Sequence, residues 1–127
     1  MKQFLWICLA GAAGTGCRRL AGIYAPRLLG ASFPWATLIV NVVGCFLISL
    51  VAHVAMKKLY SDDLRLTLMT GFMGGLTTYS SFNFETTNLF FKEQALLLGG
   101  LNVVLTLALC FGAGLLGLVA GRWLVGP

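Results

Sequence analysis

Acidic side chains are scarce in this chain, which carries four aspartates and glutamates in 127 residues against nine lysines and arginines. Charged residues of either sign amount to only 10%, too few for the water-facing surface of a soluble domain of this length. Histidine occurs once, at His53, and Cys8, Cys17, Cys45 and Cys110 stand singly in apolar segments without CxxC spacing. Zinc sites and disulfide frameworks are therefore not expected. No nucleophile is accompanied by a base in a recognisable pattern, so an enzyme is not expected either.

What fills the chain instead is hydrocarbon: 58% hydrophobic residues and a mean hydropathy of +0.89. Such a composition identifies a membrane protein, and at roughly 20 residues per crossing the length accommodates about four spans with short loops. Residues 1–127 thus form one transmembrane domain. Lys2 followed by the apolar run Phe4–Ala13 resembles a short signal peptide, but apolar character resumes after Arg18 and Arg19, so the segment is taken as a retained span. Run length and charge punctuation predict helices over Phe4–Tyr24, Trp35–Met56, Leu64–Phe91 and Ala95–Leu124. Pro26 and Pro34 are expected to bracket the first loop, Lys57–Asp63 to form the second, and Lys92 with Glu93 to mark the third.

An even number of crossings puts both termini on one side together with the second loop. Lys2, Lys57, Lys58, Arg65 and Arg122 fall on that side, and Arg18, Arg19, Arg27 and Lys92 on the other. The positive-inside rule then has almost no bias to act on, which favours insertion in both orientations and an antiparallel pair. The alternative is that one arginine near a span end dominates and fixes a single orientation. The net charge of +5 lies mostly at span ends, where anionic lipid accounts for it without a nucleic-acid partner.

Glycine supplies packing surfaces. Gly117 and Gly121 form a GxxxG in the last span, and Gly112, Gly114 and Gly117 spell a GxGxxG with no strand before it, which rules out a dinucleotide turn. Gly11, Gly14 and Gly16 are expected to act likewise in the first span. Polar residues fall into lines: Asn41, Cys45, Ser49 and His53 at every fourth position of the second span, and Asn102, Thr106 and Cys110 in the fourth. Each line either borders a water path or forms ordinary interhelical hydrogen bonds.

The sharpest signal is Thr70–Glu85, TGFMGGLTTYSSFNFE, where glycines, hydroxyls, aromatics and a carboxylate interrupt the hydrocarbon. Gly71, Gly74 and Gly75 followed by Thr77 and Thr78 lower helix propensity by about 1 kcal/mol per glycine, so a division into two half-helices is expected here. Freed carbonyls suit a cation, and the following helix N-terminus, with Ser80 and Ser81, suits an anion. If helix resumes near Tyr79, then Tyr79, Phe82 and Thr86 share one face and Ser81, Glu85 and Asn88 another. Aromatic edges carry partial positive charge, so a dehydrated small anion finds weak contacts here without a full charge to trap it.

GFMGGLTTYSSF at this point resembles the GFxGGxTTFSTF signature of the small fluoride channels called Fluc or CrcB. Gly11–Arg18 (GAAGTGCR) is similar to that family's glycine-rich first helix, and Thr37–Gly44 (TLIVNVVG) to its second-helix TLxVNxxG. The resemblance implies an all-α membrane protein with four transmembrane helices per chain, a broken third helix, and an antiparallel, dual-topology homodimer. It further implies multi-pass insertion in the bacterial inner membrane, passive export of fluoride through two pores, and a structural sodium ion at the dimer centre held by the carbonyls of Gly74 and Thr77. It places Asn41, Tyr79, Ser80, Ser81 and Phe82 on the fluoride pathway, with Tyr79 where the family usually has phenylalanine. The family's fourth helix usually offers Tyr and Ser four apart, and the nearest match here is Asn102 with Thr106. Arg18 is either a vestibule residue or an interface anchor, and Glu85 is expected to be neutral or hydrogen-bonded to polar neighbours. A small dual-topology multidrug exporter is the main alternative, but its first-helix glutamate has no counterpart here. A noncatalytic assembly subunit is the third reading.

Overall fold

The computed structural model describes residues 1–57, 60–91 and 94–126, and among these every regular element is helical. Helix α1 spans Lys2–Leu29 and α2 spans Trp35–Met56. A short α3, Asp62–Leu66, leads into a π-helical segment, Thr67–Met73, which continues as α4, Gly74–Leu76. Helix α5, Tyr79–Phe91, and the long α6, Leu96–Val125, complete the chain. At about 1.5 Å per residue, the 30 residues of α6 extend about 45 Å, enough to cross a bilayer including its interfaces.

The second helix has the expected bounds; the first does not. Pro26 lies inside α1 rather than in a loop, and the connection is confined to residues 30–34. Proline removes one helical N–H, the one that would donate to the Gly22 carbonyl, and α1 runs only about one turn beyond it. Gly30, at φ 92, then closes the helix by donating its N–H to the Pro26 carbonyl at 3.1 Å. Asp62 and Asp63, expected in the second loop, instead open α3, because the Ser61 side chain caps it by accepting from the Leu64 N–H at 3.3 Å. Lys58, Lys92 and Glu93 lie outside the described residues.

Close contacts fix the direction of each helix. Gly71 faces Ile7 and Gly75 faces Gly11, so α1 and the π–α4 segment run parallel. Gly117 meets the Phe46 carbonyl and Gly121 meets His53, so α2 and α6 also run parallel. Asn41 reaches Thr78 and Thr37 reaches Glu85, which makes α2 antiparallel to α5. A Cβ at Gly14, Gly75 or Gly117 would overlap a facing backbone carbonyl, so these glycines admit main-chain approach. Gly16 and Gly112 face open space and have no such role.

The distribution of polarity is that of a protein in lipid. Trp6, Leu28, Phe84, Leu97, Leu107 and Trp123 are all exposed, while Thr37, Asn41, His53, Thr78, Thr86, Asn102 and Thr106 are buried. Apolar groups outside and hydrogen-bonded polar groups inside suit a hydrocarbon solvent. By themselves α2 and α6 have the length and apolarity to cross a membrane.

Candidate functional site

Regular helix ends at Leu76, the Thr77 N–H making a last helical bond to the Met73 carbonyl at 2.9 Å, and resumes at Tyr79. The glycines before this point do not end the helix: Gly71, Gly74 and Gly75 stay helical, with a π-helical widening, because two of them are needed for contact with α1. The break falls at Thr77 and Thr78, where Asn41 on α2 replaces the helical partners. Thr78 donates its N–H to Asn41 Oδ1 at 2.7 Å, and Asn41 Nδ2 donates to the Thr78 carbonyl at 3.1 Å. A primary amide thus pairs with a peptide group as another peptide would, and both polar atoms of Asn41 are satisfied in a buried position. Gly44, one turn further along α2, leaves room for the Thr77 methyl group.

Thr78 also caps α5, its Oγ1 accepting from the Ser81 N–H at 3.2 Å and lying 3.2 Å from Ser80 Oγ. Two consequences follow for the main chain. In a continuous helix the Gly74 carbonyl would accept from the Thr78 N–H and the Thr77 carbonyl from the Ser81 N–H; both donors are bonded elsewhere. The oxygens of Gly74 and Thr77 are therefore relieved of those partners, and such hard oxygen donors fit an alkali cation rather than a transition metal. Among the described residues no cluster of three or more His, Cys, Asp or Glu side chains is arranged for a metal ion.

Two cavities flank the start of α5. The larger, about 780 Å³, is a groove bordered by Asn41, Cys45, Ser49 and His53 of α2, by Thr77, Thr78, Tyr79 and Phe82 at the interruption, and by Thr106 and Cys110 of α6. Both polar lines visible in the sequence reach this groove, except that Asn102 does not border it. The smaller cavity, about 290 Å³, is bordered by Thr15, Arg18 and Arg19 of α1, by Thr37 of α2, and by Ser81 and Glu85 of α5. Phe82 thus faces one cavity and Ser81 with Glu85 the other, the division of faces expected from helical spacing.

The Tyr79 and Phe82 rings stand 5.6 Å apart at an interplanar angle of 52°. Phe82 is buried, whereas Tyr79 is 77% exposed on the open side of the groove. In the smaller cavity Thr37 donates its hydroxyl to Glu85 Oε1 at 2.8 Å, and Glu85 Oε2 is buried without a partner among the described residues. Sequence reasoning gave no site role to Thr37, Thr78, Thr86 or Arg19, although it expected Thr78 at the helix break and Thr86 on the face of Tyr79 and Phe82. The first two lie within the quoted motifs, but nothing local distinguishes their hydroxyls from those beside them. Arg18 and Arg19 both border the small cavity, so the guanidinium groups there set a positive field opposite one carboxyl group.

Asn102 is the most enclosed large side chain, 1% exposed. Its Nδ2 donates to Thr86 Oγ1 at 2.8 Å, and its Oδ1 accepts from Thr106 Oγ1 at 3.5 Å. Thr86 in turn donates to the Phe82 carbonyl at 2.7 Å. At the far end of the groove His53 Nε2 lies 3.0 Å from the Gly126 carbonyl oxygen and ties the end of α2 to the end of α6. Taken together, the interruption offers aromatic rings, hydroxyl groups and an amide along an open groove, with no catalytic pair among them.

Residues 5–118 match the family model described as CrcB-like protein, Camphor Resistance (CrcB). A Sorangium cellulosum protein named fluoride-specific ion channel FluC is 46% identical over 127 residues, covering 98% of each chain. Proteins of the same name from Geobacter sulfurreducens and Rhizobium etli strain CFN 42 are 42% and 41% identical, each alignment covering 98% of this chain and 100% of the relative.

Proposed function

Because this chain belongs to the CrcB-like family, we infer that it is a fluoride-specific ion channel in a membrane and not an enzyme. The observation that carries this reading is the near-full-length similarity to proteins of that name, together with an interrupted helix lined by ring edges and hydrogen-bond donors. The exporter reading is not favoured, since α1 contains no acidic residue to exchange protons for cations.

In the proposed arrangement, α1, α2, the α3–α5 region and α6 are four spans, the third of them broken at Thr77–Thr78, in the bacterial inner membrane. The alternating helix directions and the near-even division of basic residues support this arrangement and support two-way insertion. Two antiparallel copies enclose two pores. Dimerisation closes the open side of the groove, where Tyr79 now stands exposed. Gly74 and Thr77 would hold a structural sodium ion through their carbonyl oxygens, and such an ion would supply positive charge at the break.

Fluoride moves along Asn41, Tyr79, Ser80, Ser81, Phe82 and Thr106, with Asn102 behind Thr106 and with Arg18 at a vestibule or as an interface anchor. Each contact is individually weak. Hydroxyl protons, amide protons and ring edges replace the ion's lost water without a charge strong enough to hold it. Fluoride that enters the cell as the neutral acid dissociates inside, and the membrane potential drives the anion out. Vesicles containing the purified protein and loaded with potassium fluoride should release it when valinomycin clamps the voltage, while chloride stays inside. Vesicles that retain fluoride under these conditions, with folded protein present, would refute the reading.

A further inference from the structure

The polar chain behind the groove has a direction. Thr106 borders the groove and donates its hydroxyl proton inward to Asn102 Oδ1, Asn102 Nδ2 donates to Thr86 Oγ1, and Thr86 donates to the Phe82 carbonyl. In this orientation the Thr106 oxygen turns lone pairs toward the groove, the wrong polarity for an anion. The step that holds it so is the longest, 3.5 Å, against 2.8 and 2.7 Å for the two deeper ones. A primary amide has a donor end and an acceptor end, and turning it over reverses what it asks of both neighbours. Nδ2 then donates to Thr106 Oγ1, whose own proton is released to the groove, and the Thr86 hydroxyl turns to donate to Oδ1. The buried atoms keep partners in both orientations, except that the Phe82 carbonyl loses its extra bond from Thr86 and keeps its helical one, and the Thr106 proton is left for whatever occupies the groove.

We propose that Asn102 and Thr86 are positioning residues that form a reversible hydrogen-bond relay, and that the relay decides whether Thr106 presents a lone pair or a proton to fluoride. This rests on the channel reading above and adds to it. Asn102, enclosed and absent from the groove wall, acts through Thr106 and does not touch the ion. An anion in the groove favours the proton-out orientation, whereas a cation favours the resting one. The relay therefore lets the groove present a proton to an anion without any fixed charge.

The test is a double-variant cycle on fluoride efflux from vesicles, using Thr86→Val, Thr106→Val and the pair. Thr86 lies off the groove wall, so a purely structural role there would act independently of Thr106. The relay predicts that each single variant slows efflux by about tenfold, the size of one hydrogen bond to a charged partner, and that the pair is no slower than the slower single. Thr86→Ser, which keeps the hydroxyl, should restore the wild-type rate. Asn102→Asp, whose two oxygens accept from both threonines, should lock Thr106 proton-in and slow efflux at least as much as Thr106→Val. Multiplying effects in the pair, or a Thr86→Ser variant as slow as Thr86→Val, overturns the relay. Should Thr86→Val fail to assemble, Thr86→Ala takes its place in the same cycle. Wild-type protein that releases no fluoride would remove the channel reading itself, an outcome separable from additivity among conducting variants.

Discussion

Replacing Asn41 by aspartate exchanges one NH₂ group for an oxygen at the point where the helix interruption is held. The 2.7 Å bond from the Thr78 N–H to Oδ1 survives, but the 3.1 Å bond to the Thr78 carbonyl becomes a contact between two acceptors. Losing a net hydrogen bond costs about 1 kcal/mol, and leaving the buried Thr78 carbonyl without a partner costs about 1–3 kcal/mol more. The clamped geometry is therefore disfavoured by about 2–4 kcal/mol, or roughly 30- to 1,000-fold in population. The competing structure is a continuous helix in which the Thr78 N–H returns to the Gly74 carbonyl, which would also remove that oxygen from the proposed cation site. Fluoride efflux from vesicles reports conduction, and hydrogen–deuterium exchange at the Thr78 amide reports the clamp. Both should change together, with efflux suppressed at least tenfold while α1, α2 and α6 keep their protection. An Asn41→Asp variant with normal efflux and unaltered exchange at Thr78 would refute the argument.

Phe82→Ile preserves apolar bulk but removes the ring edge, and is expected to suppress fluoride efflux while dimer content, measured by crosslinking in detergent, stays the same. Tyr79→Phe keeps the ring and deletes only an exposed hydroxyl, so efflux should remain within about twofold of wild type, less than one net hydrogen bond is worth; a tenfold fall would make the hydroxyl a contact for the ion. Gly14→Val drives a side chain into the Phe72 carbonyl and the Leu76 amide of the facing segment and should destabilise the fold by about 1–3 kcal/mol or more, read as a lower thermal midpoint in detergent. Gly16→Ala, facing open space, is its control and should leave the midpoint unchanged.

Composition alone made this a membrane protein, and apolar run length placed α2 at its observed bounds. Helical spacing correctly assigned Phe82 to one face of α5 and Ser81 with Glu85 to the other, since side-chain direction along a helix is fixed by its geometry. The motif around Gly71–Phe82 pointed to the family that the full-length comparisons then showed. Local propensity failed where the surroundings overrode it. Pro26 stayed inside α1 at the loss of a single N–H bond about one turn before the helix ends, and the glycine-rich stretch stayed helical because α1 packs against it.

The chain by itself determined its solvent, its helical class and which residues share a face, because hydrophobicity and helical period are properties of neighbouring residues. The glycines with Thr77 and Thr78 already marked where the third region parts, but only the tertiary structure supplied what holds the break, an amide 37 positions earlier in the chain meeting Thr78. It likewise joined Thr37 to Glu85 across 48 positions and Asn102 to Thr86 across 16. A hydrogen bond requires a donor and an acceptor about 3 Å apart in the right direction, and no local pattern specifies which distant helix will bring the second partner.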